Sequence, residues 1–388
     1  MRRRRSPRCA TRASSPDVRS GLTPPGTADQ LRPMLRDLGP IDCDVHPLPP
    51  RIADLLPYLD DPWRETMVSR GIDGLDLSSY PPNAPISARP DWRPAQGEAG
   101  NTLARLQAQA LAPFGTRYAI CNCLHGALAM FSEDMGAALA RAVNDWIARE
   151  WLDRDPRLRA SILVAPRSPD LAVAEIERRA ADPRFVQVLM LVGGDQPLGR
   201  RVHWPIYAAA ERHGLPIGLH AGSAQHHPTT AVGWPSYLVE DYIGNAASFQ
   251  NQLLSFLAEG VFSKFPRLRL VLIESGVSWL APFLWHVNKE WRGLRSEVPW
   301  VDRPPTEIVR EHVRLTIQPT DGPPDPAELS RVLDQIGSEE MLLFSTDYPH
   351  WHFEGEDVLP AGFPAHLIEK LAVLNPLATY PRLNEARS

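Results

Sequence analysis

The sequence predicts an α/β protein whose main domain is a (β/α)8 (TIM) barrel. Eight short apolar runs, rich in β-branched residues, alternate with segments of helical periodicity from residue 40 onward. Polar residues end several of these runs that lie far apart in the sequence. A closed barrel brings the carboxyl ends of all its strands to one rim, whereas an open sheet would separate the first strand from the last.

The strands are expected at eight positions, and helices are expected between most of them. The strands are predicted at 41–46, 117–123, 161–166, 186–192, 217–220, 268–274, 313–317 and 341–347. Helices are predicted at 132–151, 170–181, 204–213, 247–259, 278–294 and 326–336. Residues 40–388 therefore form the predicted barrel domain.

Composition excludes several classes of protein. The chain has 388 residues, of which 43% are hydrophobic and 22% are charged, as in an ordinary globular protein with a large core. No apolar run approaches the 18 residues of a membrane span, so no membrane partner is expected. Four cysteines are too few for a disulfide framework in so long a chain, and a cytoplasmic location is expected.

The amino-terminal residues 1–39 differ from the rest of the chain. The first 40 residues carry nine arginines against three aspartates, although the whole chain has a net charge of −5. The first 30 residues are rich in Arg, Ser, Pro and Thr and lack apolar periodicity, so the arm is expected to be disordered. It has no apolar segment of an export signal, and the acidic body argues against a nucleic-acid partner.

Residues 71–110 form a long insertion between the first two predicted strands. Loops of this length in a compact domain are commonly lids or binding loops. Trp92 and Arg93 could supply an apolar wall and an anion clamp for an aromatic or carboxylated substrate. The same segment could instead build a subunit interface, which would make the protein a homodimer.

The predicted barrel rim carries side chains that suit a metal ion. Asp44 and His46 lie two residues apart on the first strand, so they share a face. A buried carboxylate and imidazole are costly unless they are paired or bound to metal, and such nitrogen and oxygen donors suit zinc or manganese. His220 and Asp347 end two other strands. The alternative for Asp44 and His46 is a hydrogen-bonded pair that joins the first strand to a neighbour.

With these residues the chain resembles the amidohydrolase-related family (amidohydrolase family 2), which includes aminocarboxymuconate-semialdehyde decarboxylase and γ-resorcylate decarboxylase. The resemblance rests on residues 41–47, His220-Ala221-Gly222 and residues 344–350. It implies one divalent ion, zinc in the first place and manganese in the second. The implied ligands are Asp44, His46, His220 and Asp347, where Asp44-x-His46 is similar to a carboxylate variant of the family's opening motif.

One position departs from the family pattern and decides the expected reaction. Glu274 stands at the end of strand 6, where the decarboxylases carry a catalytic histidine. The sequence therefore favours a hydrolase in which metal-activated water attacks an amide, lactone or similar bond of a small molecule. Asp347 would be the proton shuttle, and Glu274 a second proton carrier or an orienter of the substrate or of His220. The alternatives are a non-oxidative decarboxylase of an aromatic or muconate-type acid and a metal-free binding barrel.

Two further histidines are candidate substrate contacts. His350 follows Asp347 by three residues on the loop after strand 8, and His125 lies just beyond strand 2. The tandem pair His226 and His227 is expected to be solvated, and His352 is not constrained by any pattern.

Overall fold

The computed structural model describes residues 28–75, 88–223, 227–228, 230–350, 358–360 and 363–385. Eight parallel strands form one sheet in the sequential order β1 to β8. They are β1 Ile41–Val45, β2 Tyr118–Cys121, β3 Leu158–Leu163, β4 Phe185–Gly193, β5 Ile217–Ser223, β6 Leu270–Ile273, β7 Val313–Thr316 and β8 Leu342–Leu343. The predicted (β/α)8 barrel is confirmed.

The first and last strands meet at a seam that brings the sheet close to a full barrel. The Cys43 N–H donates to the Phe344 carbonyl at 2.9 Å, and the Asp347 N–H donates to the Asp44 carbonyl at 3.1 Å. Val45 also forms an isolated parallel bridge with Tyr348. Residues just beyond β8 thus continue the pairing with β1, and they place Asp44 and Asp347 side by side.

Helices flank the sheet and follow the strands in the order expected of a barrel. Those of eight or more residues in the described chain are Ala28–Leu38, Asp61–Arg70, Glu133–Ile147, Pro169–Arg179, Trp204–Arg212, Leu238–Ala258, Leu280–Leu294, Pro305–His312 and Pro326–Ile336. Shorter α-helices span Ile52–Leu55, Leu103–Leu106, Ala112–Phe114, Val261–Lys264, Asn375–Thr379 and Arg382–Glu385. In the part of the chain that the structure describes, no helix is both long and apolar enough to cross a membrane.

Neighbouring residues of β4 enter two separate hydrophobic clusters. Val188 and Met190 of β4 join the cluster that packs against the flanking helices. Leu189, between them in the sequence, joins a second cluster that includes Tyr380 from the C-terminal segment. This division follows from the alternation of side chains along a strand.

The arm prediction is wrong for its last twelve residues. Ala28–Leu38 is a helix, and Gly39 follows it in the left-handed conformation that commonly ends helices. Leu35 is only 1% exposed in the main core, and Met34 and Leu38 pack against the same core. The helix is stabilised by this packing. Residues 1–27 lie outside the described chain.

Several element boundaries also differ from the sequence predictions. Strand β3 begins at Leu158, three residues before its predicted start, and the helix Leu238–Ala258 begins nine residues before its predicted start. The helices Asp61–Arg70 and Pro305–His312 were not expected from periodicity. Both begin with proline at the first or second helical position, where its fixed φ suits a helix start.

Candidate metal centre

Asp44 and His46 lie at the carboxyl end of β1 and are both buried. The Nε2 atom of His46 is 3.1 Å from Asp44 Oδ1 and 3.0 Å from Asp347 Oδ1. On the other side of the ring, the His46 Nδ1–H donates to the Asn122 carbonyl at 2.9 Å. Nε2 therefore faces two carboxylates, an arrangement that suits a proton or a cation.

His220 reaches the same point from β5. Its Nε2 atom is 3.8 Å from Asp44 Oδ2, and its ring meets the His46 ring edge-on with centroids 5.0 Å apart. Its Nδ1–H donates to the Ala221 carbonyl at 2.8 Å. Because the other ring nitrogen carries the proton, Nε2 presents a lone pair, as in metal-binding histidines.

These residues fit a divalent metal ion. Ligand atoms of Asp44, His46 and His220 all lie within 4.8 Å of one another, and the three residues are buried. Asp44 Oδ2 and His220 Nε2 have no hydrogen-bond partner among the described residues. Buried polar atoms normally have such partners, so two unsatisfied donor atoms close to each other make this point a candidate ion site. Mixed nitrogen and oxygen donors suit zinc and manganese alike.

The electrostatics of His46 favour the same conclusion. Burial lowers the pKa of the His46 imidazole, but the carboxylates of Asp44 and Asp347 outweigh burial and raise it well above its usual value. The two carboxylates thus make the site strongly attractive to positive charge. A metal ion at this point would supply the positive charge that the carboxylates of Asp44 and Asp347 favour.

Asp347 and His350 complete the rim on the side of β8. Asp347 has a left-handed backbone with φ 54°, and its Oδ1 atom is 2.7 Å from His350 Nδ1. The His350 ring stacks on the His46 ring with centroids 4.5 Å apart. His46, Asp347 and His350 form a second group of possible metal donors within 4.8 Å of one another. Asp347 therefore links His350 to the ligand cluster, by which we mean Asp44, His46, His220 and Asp347. Substrate contact by His350 stays a prediction.

Glu274 lies immediately after β6 and beside His220. Its Oε2 atom is 3.6 Å from His220 Nε2. Its backbone is left-handed with φ 61°, and its N–H donates to Thr316 Oγ1 at 2.9 Å. The carboxylate therefore lies close enough to orient His220 or to carry a proton at the site, while its expected contact with substrate stays a prediction.

The remaining predicted contacts lie outside the ligand cluster. The ring of Trp92 is 5% exposed and lies 4.9 Å from that of Tyr348, while the exposed Arg93 donates from Nε to the Ala88 carbonyl at 2.8 Å. Ala88 pairs with His350 through an isolated bridge, so this part of the insertion lies beside the rim. Substrate contacts by Trp92 and Arg93 stay predictions.

His125 is buried in a local backbone contact. Its Nδ1 atom accepts a hydrogen bond from the Ala127 N–H at 3.0 Å. Burial lowers the pKa of His125 to about 4, against a smaller opposing effect of the Pro50 carbonyl. The imidazole is therefore neutral near pH 7, and its contact with substrate stays a prediction. His226 and His352 lie outside the described residues.

The sequence did not reveal the buried polar residues that support the ligands. Asn122 donates from Nδ2 to Asp44 Oδ1 at 2.8 Å. Asp42 accepts from the N–H and the hydroxyl of Thr346 at 3.0 and 2.7 Å. Burial raises the pKa of Asp42 to about 7, although the Thr346 hydrogen bonds lower it. The available signal was that Asp42 shares the face of Asp44 and that Asn122 follows β2 at the same rim.

Solved structures show the same fold at low sequence identity. A 5-carboxyvanillate decarboxylase from Sphingomonas paucimobilis has a TM-score of 0.63 and 19% identity, with 89% of this chain and 99% of that chain covered. A dihydroxybenzoic acid decarboxylase from Polaromonas sp. JS666, with bound manganese and the inhibitor 2-nitroresorcinol, has a TM-score of 0.58 and 18% identity. The coverage there is 89% of this chain and 97% of that chain.

A curated relative and a family model extend the similarity to sequence. The γ-resorcylate decarboxylase of Rhodococcus jostii RHA1 is 26% identical over 226 residues, which cover 54% of this chain and 66% of the relative. The chain spans slightly less than two thirds of the length of such relatives. The model of the amidohydrolase family Amidohydro_2 matches residues 41–382, which is most of the sequence. The chain therefore belongs to this amidohydrolase family.

Proposed function

We propose that the protein is a metal-dependent, non-oxidative decarboxylase of an aromatic acid that carries a hydroxyl group ortho to the carboxylate. The observation that carries the proposal is the similarity to γ-resorcylate decarboxylases in a chain that has a buried Asp-His-His-Asp cluster at its barrel rim. The sequence alone favours hydrolysis, because Glu274 replaces the family's histidine. The relatives support the decarboxylase alternative better, and we adopt it.

The residues that would hold the ion are Asp44, His46, His220 and Asp347. A divalent ion bound there would supply Lewis-acid chemistry toward the substrate carboxylate and its ortho oxygen. Manganese and zinc are both candidates, since the donor set suits both and a structural neighbour contains manganese.

The protein's own groups would supply the proton. Asp347 lies at the rim with its Oδ1 atom 3.0 Å from His46 Nε2, so its carboxyl group is beside any substrate bound at the cluster. It would protonate the ring carbon that bears the carboxylate, and the bond to the carboxyl carbon would then break and release carbon dioxide. His350, hydrogen-bonded to the same oxygen, would hold Asp347 in position and pass a solvent proton back to it.

The decisive experiment follows the atoms in labelled water. Metal-loaded protein is incubated in deuterium oxide with a panel of ortho-hydroxybenzoates, and the products are analysed by mass spectrometry. We expect release of carbon dioxide and one deuterium at the carbon that lost the carboxylate. A His220→Ala variant, which lacks a ligand, should retain neither metal nor activity.

A second panel tests the hydrolase alternative. Lactones and amides are offered in water labelled with heavy oxygen. Incorporation of that oxygen into product, without carbon dioxide from the acids, would contradict the decarboxylase proposal. Elemental analysis that finds no metal in active protein would contradict the metal site itself.

A further inference from the structure

We propose that Asn122 is the positioning residue of the metal centre and that a buried polar column through the barrel holds its amide in the required orientation. The column consists of Asn122, Ser161, Gln187 and Tyr380. This inference rests on the metal site of the proposed function, but it concerns the affinity for metal and does not depend on the reaction.

Asn122 contacts two of the predicted ligands at once. Its side-chain Nδ2 donates to Asp44 Oδ1 at 2.8 Å, and its backbone carbonyl accepts the His46 Nδ1–H at 2.9 Å. The first contact fixes the rotation of the Asp44 carboxylate, so that Oδ2 faces His220. The second fixes the His46 tautomer, so that Nε2 is the atom that faces the site. Asn122 therefore orients two predicted metal-binding atoms, Asp44 Oδ2 and His46 Nε2, toward the same site.

The orientation of the Asn122 amide is set by its oxygen. Oδ1 accepts from Ser161 Oγ at 2.6 Å and from Gln187 Nε2 at 3.3 Å. A half-turn of the amide would set its NH2 group against the Gln187 Nε2 donor and its oxygen against the Asp44 carboxylate, and both contacts would be repulsive. The Ser161 hydroxyl would also lose the acceptor of its proton, so only the observed orientation satisfies all the groups.

The column continues down the barrel to the C-terminal segment. Gln187 Nε2 also donates to Ser161 Oγ at 2.8 Å, and the Tyr380 hydroxyl donates to Gln187 Oε1 at 3.2 Å. Asn122, Gln187 and Tyr380 are fully buried, and Ser161 is 5% exposed. The contacts use each amide oxygen and each amide nitrogen in the column, which is the condition under which a buried polar network gives a single arrangement.

The sequence makes room for the column at Gly218. A Cβ atom at this position of β5 would lie 2.6 Å from Cδ of Gln187, which is closer than real contacts allow. A larger residue would displace the amide on which Ser161 and Asn122 depend. The space left by Gly218 shows that the barrel interior accommodates Gln187, although an apolar side chain would fill it at lower desolvation cost.

The test measures metal binding in the absence of substrate. Metal-free wild type, Asn122→Ala and Ser161→Ala are titrated with Mn2+, and free ion is followed by electron paramagnetic resonance. We expect Asn122→Ala to bind Mn2+ about 10–100-fold more weakly, which is the usual cost of losing such a supporting contact. Ser161→Ala should show a smaller loss of Mn2+ affinity, because it removes one hydrogen bond to the Asn122 amide and leaves the amide itself in place.

Asn144 provides the matched control. It is also a buried asparagine, and its side chain bonds to the backbone of Leu163 and to Glu175, away from the ligand cluster. Asn144→Ala should lower the melting temperature of the metal-free protein and leave the Mn2+ affinity unchanged. If Asn122→Ala does not fold, the Mn2+ affinity of Ser161→Ala is compared with that of the wild type instead.

The outcomes separate the two proposals. Equal Mn2+ affinity in wild type and the folded column variants would overturn the positioning role, whatever the reaction is. Tight wild-type binding without decarboxylation would overturn the proposed function alone. A wild-type protein that binds no Mn2+ or Zn2+ would overturn both.

Discussion

At the scale of single residues, the site combines ligand geometry with unusual backbone conformations. Asp347 and Glu274, which follow β8 and β6, both have positive φ values of 54° and 61°. Residues other than glycine adopt this region at a cost, and where they do so the surrounding structure holds them there. Here the backbone N–H of Asp347 bonds to the Asp44 carbonyl and that of Glu274 bonds to Thr316 Oγ1. Both acidic side chains are thereby held at the rim.

Glu274→Gln tests whether the carboxylate beside His220 carries a proton. We expect turnover to fall about 10²–10⁴-fold with the metal content unchanged, because the amide keeps the shape and loses the acid–base function. Turnover and bound metal are measured on the same preparation. Glu290→Gln is the matched control, since Glu290 faces His286 at 3.7 Å on the surface. Unchanged turnover in metal-loaded Glu274→Gln would show that Glu274 is structural.

His125 should make the unfolding free energy depend on pH. Its folded-state pKa is lowered to about 4, whereas the unfolded imidazole titrates near 6.5. Between these values only the unfolded chain takes up the proton, so stability falls as pH decreases from about 6.5 towards 4, by about 3 kcal/mol in total. His125→Asn keeps an acceptor for the Ala127 N–H and removes the titration. The wild type should lose more stability than this variant between pH 7 and pH 5 in urea unfolding. Parallel pH profiles would contradict the prediction.

The residues of the site were predictable to different degrees. Asp44, His46, His220 and Asp347 end strands of strong apolar pattern, so barrel geometry brings them to one rim, and the family resemblance implies their role as ligands. Asn122 gave no comparable signal, because an asparagine after a strand is equally typical of a turn. Its role depends on hydrogen bonds from residues of β3 and β4, and the sequence pattern of a single strand does not predict contacts between strands.

At the scale of secondary structure elements, tertiary packing determines the structure of segments whose apolar pattern in the sequence is weak. The eight strands were predicted from apolar runs, since a strand buried on both faces has few polar residues. The helix Ala28–Leu38 was missed because Pro33 interrupts it and arginines surround its few apolar residues. Short helices gain most of their stability from tertiary contacts, which the sequence pattern does not display.

Leu35→Ala tests the contribution of this helix. Leu35 is 1% exposed and belongs to the same core cluster as Phe114. We expect a loss of about 2–5 kcal/mol in unfolding free energy, the usual cost of truncating a fully buried leucine. Chemical denaturation of the full chain measures it. Asp37→Ala, on the exposed face of the same helix, should change stability little. Equal values for the two variants would show that the helix does not contribute to the core.

At the scale of the whole molecule, the contacts between β1 and the end of β8 both close the barrel and place two predicted metal ligands. β8 itself has only two residues, so side chains and the residues that follow it supply much of the closure. Asp42 accepts three hydrogen bonds there, two from Thr346 and one from the Asp44 N–H at 3.2 Å. The same seam carries Asp44 on one side and Asp347 on the other. Barrel closure and the spacing of two predicted ligands therefore depend on the same contacts.

Thr346→Val tests this coupling between closure and metal binding. The change keeps the side-chain volume and removes the hydroxyl that donates to Asp42 Oδ2 at 2.7 Å. Because the acceptor is a buried carboxyl group, we expect a loss of about 1–3 kcal/mol in unfolding free energy. Metal affinity should fall with it, since Asp44 and Asp347 lose a common support. Thr320→Val is the control, because Thr320 is also buried and its hydroxyl donates to the Ile317 carbonyl. Denaturant unfolding and Mn2+ titration are compared for both variants. If Thr346→Val and Thr320→Val lose similar stability and both keep wild-type metal affinity, the seam stabilises the fold without setting the spacing of the ligands.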